Sequence, residues 1–411
     1  MTEKLKGRNF PTLRFPGFYG EWELKKMGEV ANIYDGTHQT PKYTKEGVKF
    51  VSVENINDIE NTNKFITPEA FQKEYKIKPQ KGDILMTRIT AGIIGATAII
   101  KNNEPLGYYV SLALIRTKVD VDIIFLSQRV ETNQFKNQLH KRIIHVAFPK
   151  KINLGDIQDC ATYFPSLDEQ KKISSLISLI NDRILLSMKI IEDLMVLKNN
   201  VVKKLFENKL KFKNGDEDFQ KWEKKRLTEI SKEHLNKNPE NLYAEVFSVS
   251  KHKGVINQIE HLGRSFSAKD IKHYKVVYPG DLVYTKSPTS EFPFGIIKQN
   301  RTGRIGVVSP LYCVFTPQTF ELGYLLHEYF NSSVNTYNYL NPLVQKGAKN
   351  TMNINNETFL NGAKLLLPID KMEQTHIYTA LSLLDDKIDV EERILLKYEN
   401  QKKYLLANLF I

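Results

Sequence analysis

The chain has 411 residues, 41% hydrophobic and 26% charged, a globular balance that is too long for one ordinary core. Lys and Arg total 59 against 47 Asp and Glu, and the net charge of +12 suits a polyanion such as nucleic acid. Cys160 and Cys313 are the only cysteines, which excludes a disulfide framework and a paired-cysteine zinc site. The opening "MTEKLKGRNF" has no apolar leader core, and no apolar run approaches the ~20 residues of a membrane span. A soluble cytoplasmic protein without a membrane partner is therefore expected.

The first landmark is "EWELKKMGEVA" (Glu21 to Ala31), and it returns as "KWEKKRLTEIS" (Lys221 to Ser231). Trp22 and Trp222, the only two tryptophans, stand 200 residues apart. "KGDILMTR" (Lys81 to Arg88) likewise returns as "PGDLVYTK" (Pro279 to Lys286). Glu169–Gln170 and Glu373–Gln374 are 204 apart, as are Leu205–Phe206 and Leu409–Phe410. Landmarks in one order at a nearly constant spacing mark two tandem copies, a duplicated domain rather than a solenoid.

Each copy has two parts. From Trp22 to about Tyr163, and from Trp222 to about Leu366, short apolar runs such as "VKFVSV" and "YAEVFSV" are separated by Gly, Pro and Asn clusters. Helical stretches intervene at "DIIFLSQRVETNQFKNQLHKRI" (Asp122 to Ile143) and "ELGYLLHEYFNSSVNTYNYL" (Glu321 to Leu340). This part reads as mixed α+β. The expected domains are residues 1–163 and 211–366, separated by helices over 164–210 and 367–411.

Both long helices begin at a capping-box pattern, Ser166-x-x-Glu169 and Asp370-x-x-Glu373. Behind the first, Ile177, Ile180, Ile184, Ser187, Ile191, Leu194, Lys198, Val201 and Leu205 alternate steps of three and four. The second gives Leu381, Leu384, Ile388, Glu391, Leu395, Tyr398, Lys402, Leu405 and Leu409. This is a heptad seam over about four heptads, so the two rods are expected to form an intramolecular antiparallel coiled coil with pseudo-two-fold symmetry. Its polar entries match between copies, Ser187 with Glu391 and Lys198 with Lys402, and such residues fix register.

No catalytic constellation stands out. There is no G-x-x-x-x-G-K-[ST] loop, no G-x-G-x-x-G turn opening a helix and no H-E-x-x-H. Asn238–Pro239 and Asn341–Pro342 lack what an adenine methyltransferase motif needs after them. Glu169-Gln170-Lys171 could mimic the end of a nuclease site, but the second copy has Thr375 where that lysine would be. The chain is expected to be non-catalytic, with no metal and no cofactor of its own.

Binding groups are better supplied. Thr37, His38, Gln39, Lys42 and Tyr43 lie in "DGTHQTPKYTKEGVKF". Arg88 and Thr90 in "MTRITAGIIG" occupy the same place as Lys286, Ser287 and Thr289 in "YTKSPTSEFPFG". Lys150 and Lys151 precede the first long helix, and Lys346, Lys349 and Asn350 precede the second. Lys251 and His252 complete the candidate DNA contacts.

"LRFPGFYGEWELKKMGEVANIYDGTHQTPKYTKEGVKFVSV", the "KGDILMTR" stretch and "FPSLDEQKKI" resemble the specificity subunit of bacterial type I restriction–modification enzymes. The duplicated P-x-x-x-E-Q helix starts carry the likeness, which covers nearly the whole chain. It implies two target recognition domains, each reading half of a split DNA site in the major groove, with the paired helices as spacer. It further implies two modification subunits that carry S-adenosylmethionine and methylate adenine, and restriction subunits that use ATP and Mg2+. On this reading Glu169, Gln170, Glu373 and Gln374 mark helix starts close to where the modification subunits bind. The loops of the two domains differ, so an asymmetric target is expected. A stand-alone DNA-modifying enzyme and a non-enzymatic DNA-binding regulator or scaffold are the alternatives.

Overall fold

The computed structural model describes residues 9–251, 253–264, 270–346 and 352–411. The chain divides into two units, one running to Lys189 and taking back Glu392–Ile411, the other spanning Ile190–Glu391. Both divisions fall inside a long helix, the central one at Leu167–Phe206 and the C-terminal one at Lys371–Asn408.

In the first unit a four-stranded antiparallel sheet runs Ala31–Asp35, Leu112–Thr117, Ile84–Thr87, Thr97–Ile99 in spatial order. The second unit repeats that order with Ser231–Glu233, Cys313–Pro317, Leu282–Tyr284, Ile297–Gln299. The duplicated Trp segments lead into edge strands that pair with the strand just before each long helix, Glu23 opposite Phe164 and Glu223 opposite Leu367.

The "GD" landmark owes its repetition to a turn. Gly82 and Gly280 hold φ of +92° and +91°, a left-handed conformation that favours glycine. Each following aspartate turns back to accept a backbone N–H three residues earlier, Asp83 from Gln80 and Asp281 from Tyr278, both at 2.8 Å. These buried carboxylates also brace the sheet, Asp83 with Arg116 and Asp281 with His234 and Thr316.

Each helical stretch inside the domains is broken once. Ile123–Glu131 gives way to Asn133–Arg142 at Thr132, and Phe320–Asn331 gives way to Ser333–Leu340 at Ser332. Thr132 and Ser332 are extended and cap the second helix through their hydroxyls, so their side chains replace the helical backbone bond.

Within each unit the start of one long helix shares a core with the end of the other. Ile173 and Ile177 lie in one buried cluster with Leu409 and Phe410. In the second unit Val202 and Leu205 share a cluster with Ile377 and Leu381. The pairing is therefore antiparallel in each unit. Ile177, Ile180 and Leu381 are buried; Ile184, Ile191, Leu194, Leu384, Ile388, Leu395 and Leu405 are half-buried. Leu179 and Leu383, off the seam, are 64% and 57% exposed.

The cores differ beyond the shared sheet. The first unit adds a sheet of Phe65–Ile66, Val48–Val51 and Leu106–Tyr108, whose last pair is parallel. The second has two ribbons instead, Phe247–Ser250 with Gly254–Asn257 and Lys275–Val277 with Gly306–Val308. No helix among the described residues is long and apolar enough to cross a membrane.

Candidate nucleic-acid interface and helix-start sites

The expected DNA contacts separate into exposed groups and groups already spent on the fold. His38, Gln39, Lys42 and Tyr43 are exposed on the loop after Ala31–Asp35. His38 is held by Asp35 at 2.8 Å, and the Lys64 ammonium lies 5.6 Å from the centre of the half-exposed Tyr43 ring. Thr37 instead is buried and donates to Glu74 at 2.7 Å. Arg88 is also turned inward. Its guanidinium binds both Asp35 oxygens at 3.1 and 3.2 Å and the Ile152 carbonyl at 3.0 Å. Thr37 and Arg88 are thus buried ties beneath the loop, their donors taken up by Glu74, Asp35 and the Ile152 carbonyl.

Thr90 is half-buried and accepts the Gly92 N–H at 2.9 Å. It belongs to the two-residue strand Ile89–Thr90, paired with Lys150–Lys151, whose lysines are exposed. Beside them stand groups that sequence patterning did not single out, Val146 and Phe148, 96% and 92% exposed. Their only signal was an apolar residue next to a basic pair.

In the second unit Lys286 replaces Arg88 with a half-buried side chain and a left-handed φ of +59°. That backbone is strained for lysine, and Gly295 opposite it leaves the room: a Cβ there would sit 2.7 Å from the Lys286 Cα. Burial holds the Lys286 ammonium below the usual lysine range. Ser287 and Thr289 are exposed, the latter accepting the Phe292 N–H. Lys251 is half-buried and paired with Glu291 at 2.5 Å. Lys346 sits on the short strand Gln345–Lys346. His252, Lys349 and Asn350 lie outside the described residues.

The two helix starts differ from a reciprocal capping box. Ser166 and Asp370 accept the N–H of Glu169 and Glu373, as caps do. The glutamate side chains do not reach back. Glu169 is clamped by Arg14 through two bonds of 2.8 Å, and Glu373 accepts the Trp222 indole N–H at 2.9 Å. A charged or aromatic donor offers each carboxylate a stronger partner than its own cap backbone. The neighbouring glutamines dock the helices onto the domains. Gln170 accepts the Asp122 N–H at 2.9 Å, and Gln374 accepts the Thr319 hydroxyl at 2.6 Å. Asp122 and Thr319 cap the domain helices Ile123–Glu131 and Phe320–Asn331, so both copies build the same joint.

The polar seam lysines repeat a second joint. Lys402 faces Glu131 at 3.8 Å, partly exposed. Lys198 is buried between Glu328 at 2.7 Å and Asp385 at 2.6 Å. Asp385 also receives Arg301 and the Tyr324 hydroxyl, and these cations hold its carboxyl below the usual range against the opposing effect of burial. Burial lifts the Cys160 and Cys313 thiols to about 11 and about 12, so neither is a poised nucleophile. No cluster of three or more metal-ligating side chains occurs among the described residues.

Comparison with known proteins agrees with this architecture. The family model of the type I restriction modification DNA specificity domain matches residues 19–195. The type I restriction enzyme MjaVIII specificity subunit of Methanocaldococcus jannaschii is 25% identical over 203 residues. That alignment covers 47% of this chain and 47% of that protein, so it spans about half the length of the curated relative. The crystal structure of a type I restriction-modification S subunit from M. genitalium aligns over 98% of this chain and 99% of its own, with a TM-score of 0.59 and 14% identity. A chain from a structural study of complex assembly and conformational transition in the type I restriction-modification system aligns over 97% and 98%, with a TM-score of 0.51 and 14% identity. Residues 19–195 thus match the type I restriction modification DNA specificity domain, and the chain as a whole shares the fold of the M. genitalium S subunit.

Proposed function

We propose that this chain is the DNA-reading subunit of a type I restriction–modification complex, in which each unit reads one half of a bipartite, asymmetric site. The observation that carries this reading is one sheet order built twice with unlike additions. The frame is duplicated, while the parts mounted on it differ: a three-stranded sheet in one unit and two ribbons in the other. Equal frames with unequal surfaces suit two readers of different sequences. The excess of 12 positive charges supplies the phosphate attraction.

Catalysis is assigned to partners: two modification subunits carrying S-adenosylmethionine, and restriction subunits using ATP and Mg2+. Partner docking is supported by apolar side chains left exposed on the central helix, among them Leu185, Leu186 and Met188, and further on Met195, Val196 and Leu197. The reader residues on this assignment are the exposed ones, His38, Gln39, Lys42, Tyr43, Lys150 and Lys151 in the first unit and Ser287 and Thr289 in the second.

Methylome sequencing of a host expressing the chain with its modification partner tests the reading. Adenine methylation at a split, non-palindromic motif is expected. A continuous or palindromic motif would rule out two unlike readers.

A further inference from the structure

The two helix-start glutamates are matched in sequence and unmatched in what they hold. In the first copy Arg14, from the segment ahead of Trp22, grips both Glu169 oxygens. The indole N–H of Trp22 is left buried without a partner among the described residues. In the second copy the indole of Trp222 takes one Glu373 oxygen. The other, Oε2, has no hydrogen-bond partner among the described residues, although Glu373 is only 3% exposed.

The missing partner is traceable. "LRF" at 13–15 and "LKF" at 210–212 both lie just ahead of the tryptophan, so Lys211 stands where Arg14 does. Lys211 is exposed and makes no bond to Glu373, although its charge partly relieves the upward push of burial on that carboxyl. A lysine cannot reproduce the planar two-bond fork of a guanidinium. Beside Glu373 opens a cleft of about 450 Å³ lined by Lys211, Phe212, Phe219, Trp222 and Leu366. Its aromatic walls suit a flat cation. An unpaired buried carboxylate oxygen is costly, whereas a bidentate arginine pair is among the stronger polar contacts.

We propose that the Glu373 cleft is a receptor for an arginine side chain of a protein that assembles with this chain, at a position the first copy fills with its own Arg14. This rests on the family reading for the identity of the partner, the modification subunit, and on the cleft alone for the chemistry. It makes the two helix starts unequal: a cleft of about 380 Å³ opens at the first as well, but its glutamate is already held by Arg14, whereas Glu373 keeps one oxygen for a partner.

Two measurements on the full chain test it. The first titrates the chain with N-acetyl-arginine methylamide, and separately with its lysine counterpart, while the two indole N–H resonances are followed. The Trp222 signal should move with the arginine probe, far less with the lysine probe, and not at all in Glu373→Gln, while Trp22 stays still as an internal control. The second measures affinity for the modification subunit. Glu373→Gln, and Lys211→Arg, which would fill the cleft from within, should each weaken it by about tenfold. Equal shifts from both probes, or none, would overturn the site. An arginine-specific shift with unchanged partner affinity in both variants would overturn the partner role. A wild-type chain that binds no modification subunit would sink the family reading, and the arginine titration would still decide the cleft.

Discussion

Lys198 and Lys402 show how one residue, written twice, comes to weigh differently. Lys198 lies among Glu328, Asp385 and the Tyr324 ring, with side chains 11%, 2% and 15% exposed for the three ions. Replacing it with Ala strands two buried carboxylates, and the expected loss is about 3–5 kcal/mol in denaturant unfolding. Lys402→Ala removes a pair of 3.8 Å that water reaches from both sides, and should cost less than about 1 kcal/mol. Equal losses would show that the buried network adds nothing. His327 adds a pH dependence to the same region. Its Nδ1 accepts the Gln299 N–H at 3.0 Å, and burial, with Lys298, Arg301 and Lys198 nearby, holds its pKa well below the usual range. The folded state keeps this ring neutral while the unfolded chain protonates it near the ordinary value of about 6.5. The associated stability is complete above that value and is lost as pH falls below it, at up to about 1.4 kcal/mol per pH unit. Unfolding curves from pH 7.5 to 5 should therefore fall more steeply for the wild type than for His327→Gln.

At the level of elements, regular features were legible and exceptions were not. The heptad spacing found the seam because a helix can bury only one stripe, and Ile177 and Leu381 are fully buried where Leu179 and Leu383 are not. Leu381→Ala should cost about 2–5 kcal/mol and Leu383→Ala less than about 0.5, read as shifts in denaturation midpoint. The strand-like text and both helix starts were legible for the same reason, since each repeats a local rule. The breaks at Thr132 and Ser332 were hidden because a cap hydroxyl inside an amphipathic run preserves the periodicity on either side. The inward turn of Arg88 and Thr37 was hidden because residue type cannot tell a donor facing solvent from one facing Asp35 or Glu74. That depends on partners 53 and 37 residues away in the chain. The unequal fates of Glu169 and Glu373 were equally invisible, since they hang on Arg14 against Lys211.

At the scale of the whole chain, the duplication separates what is common from what is specific. The joints at Gln170 and Gln374, the two sheets and the paired Trp strands recur, so they carry nothing that distinguishes one unit from the other. What differs is carried between each Trp strand and the strand before its long helix, which pair with each other at Glu223 and Leu367 in the second unit. That pairing makes the stretch between those strands of the second unit a closed insertion, with entry and exit side by side. Exchanging residues 227–364 for the corresponding stretch of a type I specificity subunit, with Arg301, Thr319, Tyr324, Leu325 and Glu328 retained, should leave the Gln374 joint, the seam and the first unit intact. The hybrid, expressed with the modification subunit, should methylate a motif in which one half is new and the other is unchanged. A change in both halves would mean that the units do not read independently, and an unchanged motif would mean that reading lies outside the exchanged stretch.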